Sequence, residues 1–409
     1  MVRQLKDQID LRLHNTLFLL DLLVNSGPIS RADLAKASKM SPTSVTRIIS
    51  DLLDMGLIRE TELGSAKLGR KAIMLDIVPS GLYTIGIQLE KQQIQLCLLD
   101  FSEKMVDSVV FDYDCEGKTP EDCARLCLEK LYHIALNNHI DLSNVIGIGI
   151  GVVGVIDPDS GNVVISPQLG WRNVPAKEAF QRVFEKKVII DNDVKMKLVG
   201  RKRLLNIHPD TDTAILQLGS GVGSAASSKG FVVRGLQNAA GEIGHIIIDH
   251  ENGMLCECGR YGCLQTHIAI SPLIIRARQY DSSISTINEI HKAYDDGKDW
   301  AKRIINDSLK HISIALEVVN NMYNPEQTII TGDLAQEFRD LLPIAINMYK
   351  ENVFVPQIAK NNIIIAEPES KDCVLGSACM ARDAFIADFI LEKLLVARHA
   401  NDIENNKIL

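Results

Sequence analysis

Six short apolar runs govern what this chain can fold into. YTIGIQL, IQLCLLD, VIGIGIGVVG, KVIIDND, TAILQLGSGVGS and QTIITGD follow one another after Gly81, several ending at glycine or at acidic and amide residues. Runs of this length and apolarity read as buried strands. Longer helical stretches such as PEDCARLCLEKLYHIALNN lie between them. The alternation implies an α/β body with ligand groups at strand ends.

The residues ahead of Gly81 follow a different pattern. NTLFLLDLLVNSG (15–27) has Leu17, Leu20 and Val24 at helical spacing and stops at Gly27-Pro28. SRADLAKAS (30–38) opens with Ser30 and carries Asp33 three residues on, a weak capping box. In SPTSVTRIISDLLDMG, Ser41 suits the cap, Pro42 the first helical position and Gly56 the stop. Three short helices with tight turns are expected. In the third, Val45, Ile48, Ile49, Leu52 and Leu53 form one apolar stripe. Thr43, Ser44, Thr46 and Arg47 lie off it, small enough to enter a major groove and able to donate to phosphates or base edges. LIRET and AIMLDIV then read as two strands flanking a basic loop with Lys67, Arg70 and Lys71. Helix-turn-helix plus basic hairpin is a winged helix. A small helical docking or dimerisation module is the alternative.

Charge supports the same division. Residues 1–80 hold 11 Lys and Arg against 9 Asp and Glu, whereas the remainder holds 33 against 43. An acidic body repels DNA and confines any such contact to the head. At 409 residues the chain suits two or three domains. The opening MVRQLKDQIDLRLHN has no apolar core of a signal peptide, and no apolar run reaches the roughly 18 residues needed to span a bilayer. A cytoplasmic protein without membrane insertion is expected.

In such a compartment thiols stay reduced, so the crowding of three of nine cysteines into CECGRYGC (256–263) favours a metal or redox role over disulfides. Cys97, Cys115, Cys123, Cys127, Cys373 and Cys379 show no comparable arrangement and are expected to be packing residues.

AAGEIGHIIID (239–249), CECGRYGCLQT (256–266) and IIDNDV (189–194) together resemble the ROK family of sugar kinases and sugar-responsive repressors. With the winged helix in front, the chain is similar to the repressor branch. The resemblance implies a two-lobed actin-like body, related to the sugar kinases and to ribonuclease H, with a sugar cleft between the lobes and a homodimer or homotetramer. The expected division is a winged helix-turn-helix at 1–80, lobe I at 81–192 with helix 376–396 returning to it, and lobe II at 193–375. His245, Cys256, Cys258 and Cys263 supply one imidazole and three thiols, the count and softness of a closed structural zinc site. Three reduced, unmetallated cysteines are the alternative.

Carried over from the family, the sugar-contacting positions are Asn192, Asp193, Glu242, His245 and Gln265, the last replacing a family glutamate. Asp193 stands where ROK kinases keep their catalytic base, and LGSGVGS (218–224) retains much of the second phosphate loop. The first phosphate loop departs. Gln88 replaces the family aspartate, and Glu90, Lys91, Gln92 and Gln93 stand in place of Gly-Gly-Thr-Lys. Side chains at the glycines block close approach to phosphate, and Glu90 repels it. Thr331, Gly332 and Asp333 replace the nucleotide-end glycine triplet. The expectation is a repressor that binds operator DNA, responds to a sugar or sugar-phosphate effector, has no catalytic residues and keeps Asp193 as a vestigial base. A kinase carrying a DNA-binding head, and a repressor governed by a protein partner, are the alternatives.

Overall fold

The computed structural model describes residues 2–61, 73–354, 360–367 and 371–406. The N-terminal part begins with α1 (Val2–Ser26), β1 (Ile29–Ser30), α2 (Arg31–Ser38) and α3 (Pro42–Asp54). The caps lie where the sequence puts them. Ser30 Oγ accepts the Asp33 amide at 3.2 Å and Ser41 Oγ the Ser44 amide at 3.1 Å, with Pro42 in the first turn of α3. The first helix is longer than expected. No glycine or proline interrupts residues 2–26, and once nucleated a helix extends at little cost, so α1 starts 13 residues before Asn15.

Two strands, β2 (Ile58–Thr61) and β3 (Met74–Ile77), pair antiparallel from Ile58↔Ile77 to Thr61↔Met74, and β1 lies on the other side of β3. This is the expected hairpin. Its loop residues Lys67, Arg70 and Lys71 lie outside the described residues. Leu19, Leu20 and Leu23 of α1, Leu34 of α2 and Val45, Ile48, Ile49 and Leu52 of α3 close one core; Leu53 is half-buried.

The body opens with β4 (Tyr83–Leu89), β5 (Gln93–Asp100) and β6 (Met105–Asp112), an antiparallel meander, followed by α4 (Pro120–Asn137) and β7 (Val145–Val152). Next come β8 (Val155–Ile156), β9 (Val163–Ser166), β10 (Trp171–Val174), α5 (Ala176–Phe184) and β11 (Val188–Asn192). The five-stranded sheet has the order β11-β7-β4-β5-β6, with β4, β7 and β11 parallel. All residues of β4 and β7 are buried, which is why those runs carry no polar alternation. The sequence reading missed β6, whose side chains are mostly half-buried at the sheet edge, and the small sheet β10-β9-β8, whose strands have only two to four residues.

Then α6 (Asp193–Leu204) crosses to a second sheet built on the same plan. β12 (Thr213–Leu218), β13 (Val222–Ser228) and β14 (Phe231–Val232) form its meander. α7 (Gln265–Ile268), α8 (Ile270–Arg278), α9 (Ile287–Asp295) and α10 (Asp299–Tyr323) precede β15 (Gln327–Thr331), and α11 (Asp333–Glu337) and α12 (Leu342–Asn352) precede β16 (Asn362–Ile365). The order is β14-β13-β12-β15-β16, with β12, β15 and β16 parallel. Two sheets, each with a meander leading into two further parallel strands, make the two-lobed actin-like body.

The chain ends in α13 (Asp372–Asn406), which packs on α6, β4 and β7. Contact with α6 is backbone to backbone. A Cβ on Gly376 would stand 1.8 Å from the Met196 carbonyl oxygen, so only glycine fits this crossing. The polar segment after Leu395 continues as helix to Asn406, extending an already packed helix. Among the described residues no helix is long and apolar enough to cross a membrane.

Candidate effector cleft, cysteine cluster and nucleic-acid face

A cleft of about 1070 Å³ opens between the two sheets. Its walls come from the segments just beyond the C-terminal ends of parallel strands: Glu90 after β4, Asp193 after β11, Gly219 and Ser220 after β12, Gly332 and Asp333 after β15. This is where an open α/β sheet exposes backbone and side-chain groups to a ligand.

Asp193 lies on that wall, and its side chain is already partnered. Lys197, one turn along α6, places Nζ 3.2 Å from Asp193 Oδ2, both side chains nearly buried. Burial disfavours the Lys197 ammonium, but Asp193 and then Cys373, Asp372 and Glu90 outweigh it and hold the ammonium charged. Neighbouring Arg201 binds Asp372 Oδ2 through Nε at 2.8 Å, the Glu367 carbonyl at 2.8 Å and Thr331 Oγ1 at 3.1 Å. Gln88 donates to Glu90 at 2.5 Å, and Gly332 and Asp333 complete this end.

Asn192, Glu242, His245 and Gln265 do not line this cavity. Asn192 caps α6, accepting from the amides of Val194 at 3.0 Å and Lys195 at 3.4 Å, and donates to the Gly154 carbonyl at 3.0 Å. Gln265, at the start of α7, accepts the Val222 amide at 3.3 Å. Burial raises the Glu242 carboxyl; His245 and Lys195 oppose the rise and Asp193 adds to it, so Glu242 feels the charges of both the cysteine cluster and α6.

A buried network that the sequence reading missed lies behind these residues. Arg234 grips Asp191 Oδ2 through Nε at 3.0 Å and Nη2 at 2.9 Å, while Asn238 donates to Oδ1 at 2.8 Å. Lys195, fully buried, donates to the Asn238 carbonyl at 2.8 Å. The only sequence signal was Asp191 ending an apolar strand.

The cysteine loop brings its four residues together. One donor atom each from His245, Cys256, Cys258 and Cys263 lies within 4.8 Å of the others. Cys256 Sγ is 3.6 Å from His245 Nδ1, and Cys258 Sγ is 3.6 Å from Cys263 Sγ. A tetrahedral ion with metal–sulfur bonds of about 2.3 Å needs edges of about 3.7 Å, so the cluster fits a metal. Gly262 makes the fold-back possible: it has φ of 73°, and a Cβ there would stand 1.7 Å from the Asp249 carbonyl oxygen. The thiols differ in acidity. Burial raises Cys256 and carries Cys263 up to about 12; at Cys258 burial is outweighed by Arg260 and the neighbouring cysteines, which lower it to about 6. A cation is what would let all three serve as thiolates. The remaining six cysteines are buried.

On α3, Thr43, Ser44, Thr46 and Arg47 are all exposed above the buried stripe. Thr46 donates its hydroxyl to the Pro42 carbonyl at 2.8 Å, and Ser44 pairs with the capping Ser41 at 2.8 Å. Among the described residues, Thr43 and Arg47 side chains make no internal hydrogen bond or ion pair.

An exposed helix-turn-helix joined to a two-lobed actin-like body with a cleft and a cysteine–histidine cluster defines a regulator-type chain built on a sugar-kinase scaffold. The ROK family model matches residues 84–384, and the chain belongs to that family. A MarR family model matches residues 14–63. The DNA-binding transcriptional dual regulator NagC of Escherichia coli K12 is 25% identical over 383 residues, covering 91% of this chain and 93% of its own. The xylose repressor of Caldicellulosiruptor bescii is 27% identical over 383 residues, covering 90% and 94%. A crystal structure of a ROK family transcriptional regulator, a homologue of the E. coli MLC protein, superposes with a TM-score of 0.78 at 23% identity, covering 94% of this chain and 98% of that one. A ROK glucokinase from Streptomyces griseus, solved with glucose and AMPPNP, gives a TM-score of 0.61 at 20% identity, with 74% of this chain accounting for 99% of the kinase. These structural likenesses establish the fold.

Proposed function

We propose that this chain is a cytoplasmic, sugar-responsive transcriptional repressor of carbohydrate uptake or metabolism genes that has lost kinase activity. It works as a winged helix-turn-helix (1–80), a first lobe (81–192, with 376–396) and a second lobe (193–375), assembled as a homodimer or homotetramer. α3 enters the major groove of operator DNA with Thr43, Ser44, Thr46 and Arg47, and Lys67, Arg70 and Lys71 hold the flanking phosphates. Asn192, Asp193, Glu242, His245 and Gln265 contact the effector sugar, and of these five Asp193 lines the cleft. His245, Cys256, Cys258 and Cys263 hold one structural zinc, whose chemistry here is to fix the loop that carries His245. His245 Nδ1 faces the thiols, which leaves Nε2 for a sugar hydroxyl.

The observation that carries this reading is the exposed polar face of α3 on a capped helix-turn-helix in front of a ROK body. The named repressor relatives support it. Loss of kinase activity is supported by Lys197 on Asp193, which ties the would-be base to an ammonium, and by Glu90 in the place of the phosphate loop. Retention of Asp193 and of the Gly219–Gly221 loop favours the second reading, a kinase with a DNA-binding head. Operator binding with release by a sugar, and no sugar-dependent ATP turnover, is the expected result. Turnover abolished by Asp193→Asn establishes the kinase, and release only by an added protein partner establishes the partner-governed repressor.

A further inference from the structure

Resting on the sugar-effector reading, we propose that the effector is an uncharged sugar and that a phosphate ester on the hydroxyl facing Asp193 is rejected by the charges at that end of the cleft. Among the described charged side chains lining the cleft, seven are acidic and three basic. Each base is already paired: Lys91 with Glu116 at 2.7 Å, Lys197 with Asp193 at 3.2 Å, and Arg201 with Asp372 at 2.8 Å. Arg201 further binds the Glu367 carbonyl and the Thr331 hydroxyl, so its fork is bound within the protein.

Among the described residues the lining carboxylates without an ion pair are Glu90, Asp112, Glu257 and Asp333, and of these Glu90 and Asp333 follow the strands β4 and β15 that also frame Asp193. Among the described residues Glu90 accepts a neutral amide from Gln88; burial and then Asp193, Asp333 and Asp372 raise its carboxyl, with Lys197 opposing. Asp333 begins α11 on the same wall. Backbone donors are reduced as well, because the Gly219 amide in the remaining phosphate-type loop bonds the Gly221 carbonyl at 3.0 Å. A phosphate monoester brings about −1.5 to −2 charges at neutral pH. It would enter beside Glu90 and Asp333, with each described cation that lines the cleft already held by an acid of its own. Placing unpaired charge against the wrong ligand is how a site discriminates between compounds that share all other contacts. Uncharged hydroxyls suffer no such penalty and can both donate to Asp193 and accept from Lys197.

The test is calorimetric titration of the full chain with glucose, N-acetylglucosamine and xylose, and with glucose 6-phosphate and N-acetylglucosamine 6-phosphate, each with and without Mg²⁺. At least one free hexose is expected to bind, and its 6-phosphate to bind at least about tenfold more weakly. Glu90→Gln with Asp333→Asn should narrow that gap; should the double variant not fold, Glu90→Gln alone should narrow it in the same direction. A 6-phosphate that binds as tightly as its parent sugar, with or without Mg²⁺, overturns the inference and leaves the sugar-effector reading standing. Failure of every free sugar and every ester to bind overturns both.

Discussion

Lys197 shows what a single buried charge does to a cleft. Its partner Asp193 has a side chain only 5% exposed, so removing one member leaves the other uncompensated in a region of low dielectric. Lys197→Met should therefore cost about 3–5 kcal/mol in urea denaturation, and Lys197→Met with Asp193→Leu should recover much of it. Equal losses in single and double variants would show that the pair is not coupled. A lysine four residues after an aspartate is an ordinary surface pattern, which is why this lock is not legible in the sequence. The cysteine–histidine cluster was legible because its geometry is written in local spacing. There Cys258→Ser should reduce bound zinc, measured by metal analysis, and lower the melting temperature, since metal affinity is linked to folding. Unchanged metal content and melting would remove Cys258 from the ligand set.

At the scale of elements, α3 is the clearest case of sequence fixing structure: cap, first-turn proline, apolar stripe and stop all agree. Ser41→Ala should cost about 1 kcal/mol of stability, whereas Arg47→Ala should leave stability unchanged and flatten the salt dependence of operator binding by about one unit of log–log slope. An unaltered slope would place Arg47 away from the phosphates. Helices α7 and α10 meet at a pair the sequence did not announce. His267 and His311 pack with ring centroids 4.2 Å apart and ring planes tilted by 31°, and among the described residues His267 Nε2 is buried without a hydrogen-bond partner. Burial, and then the like charge of His311 and of Arg276, lower His267 below its ordinary 6.5, with Asp307 and Asp249 opposing. The unfolded chain thus binds this proton at a higher pH than the folded one, so stability is fully present above about pH 6.5 and declines as pH falls below it. His267→Gln should flatten the fall in melting temperature between pH 7.5 and 5.5. Residues 44 apart in sequence on two helices meet through packing, and no local pattern records that.

Across the whole molecule, the head is not a bead on a linker. Its core continues into the body: Phe101 at the end of β5, Ile146 in β7, and Ile390 and Leu394 of α13 belong to the same buried cluster as Leu19, Leu23, Ile49 and Leu52. At its other end α13 begins with Asp372, which holds Arg201 and lines the cleft. One helix therefore touches both the cleft and the packing beneath α3. The sequence disclosed two units by their change of pattern; it could not disclose that they share a core, because apolar residues on α13 look the same whichever partner they meet. Truncating a fully buried isoleucine to alanine costs about 2–5 kcal/mol. Ile390→Ala should thus destabilise the head more than the distant second lobe, and weaken operator binding while leaving zinc content intact. Hydrogen exchange resolves the two regions, and the expected outcome is faster exchange in α1 and α3 with little change in α8 and α10. A head whose exchange and operator affinity ignore Ile390→Ala would show that it folds and binds independently of α13, and that any signal from the cleft reaches DNA by another route.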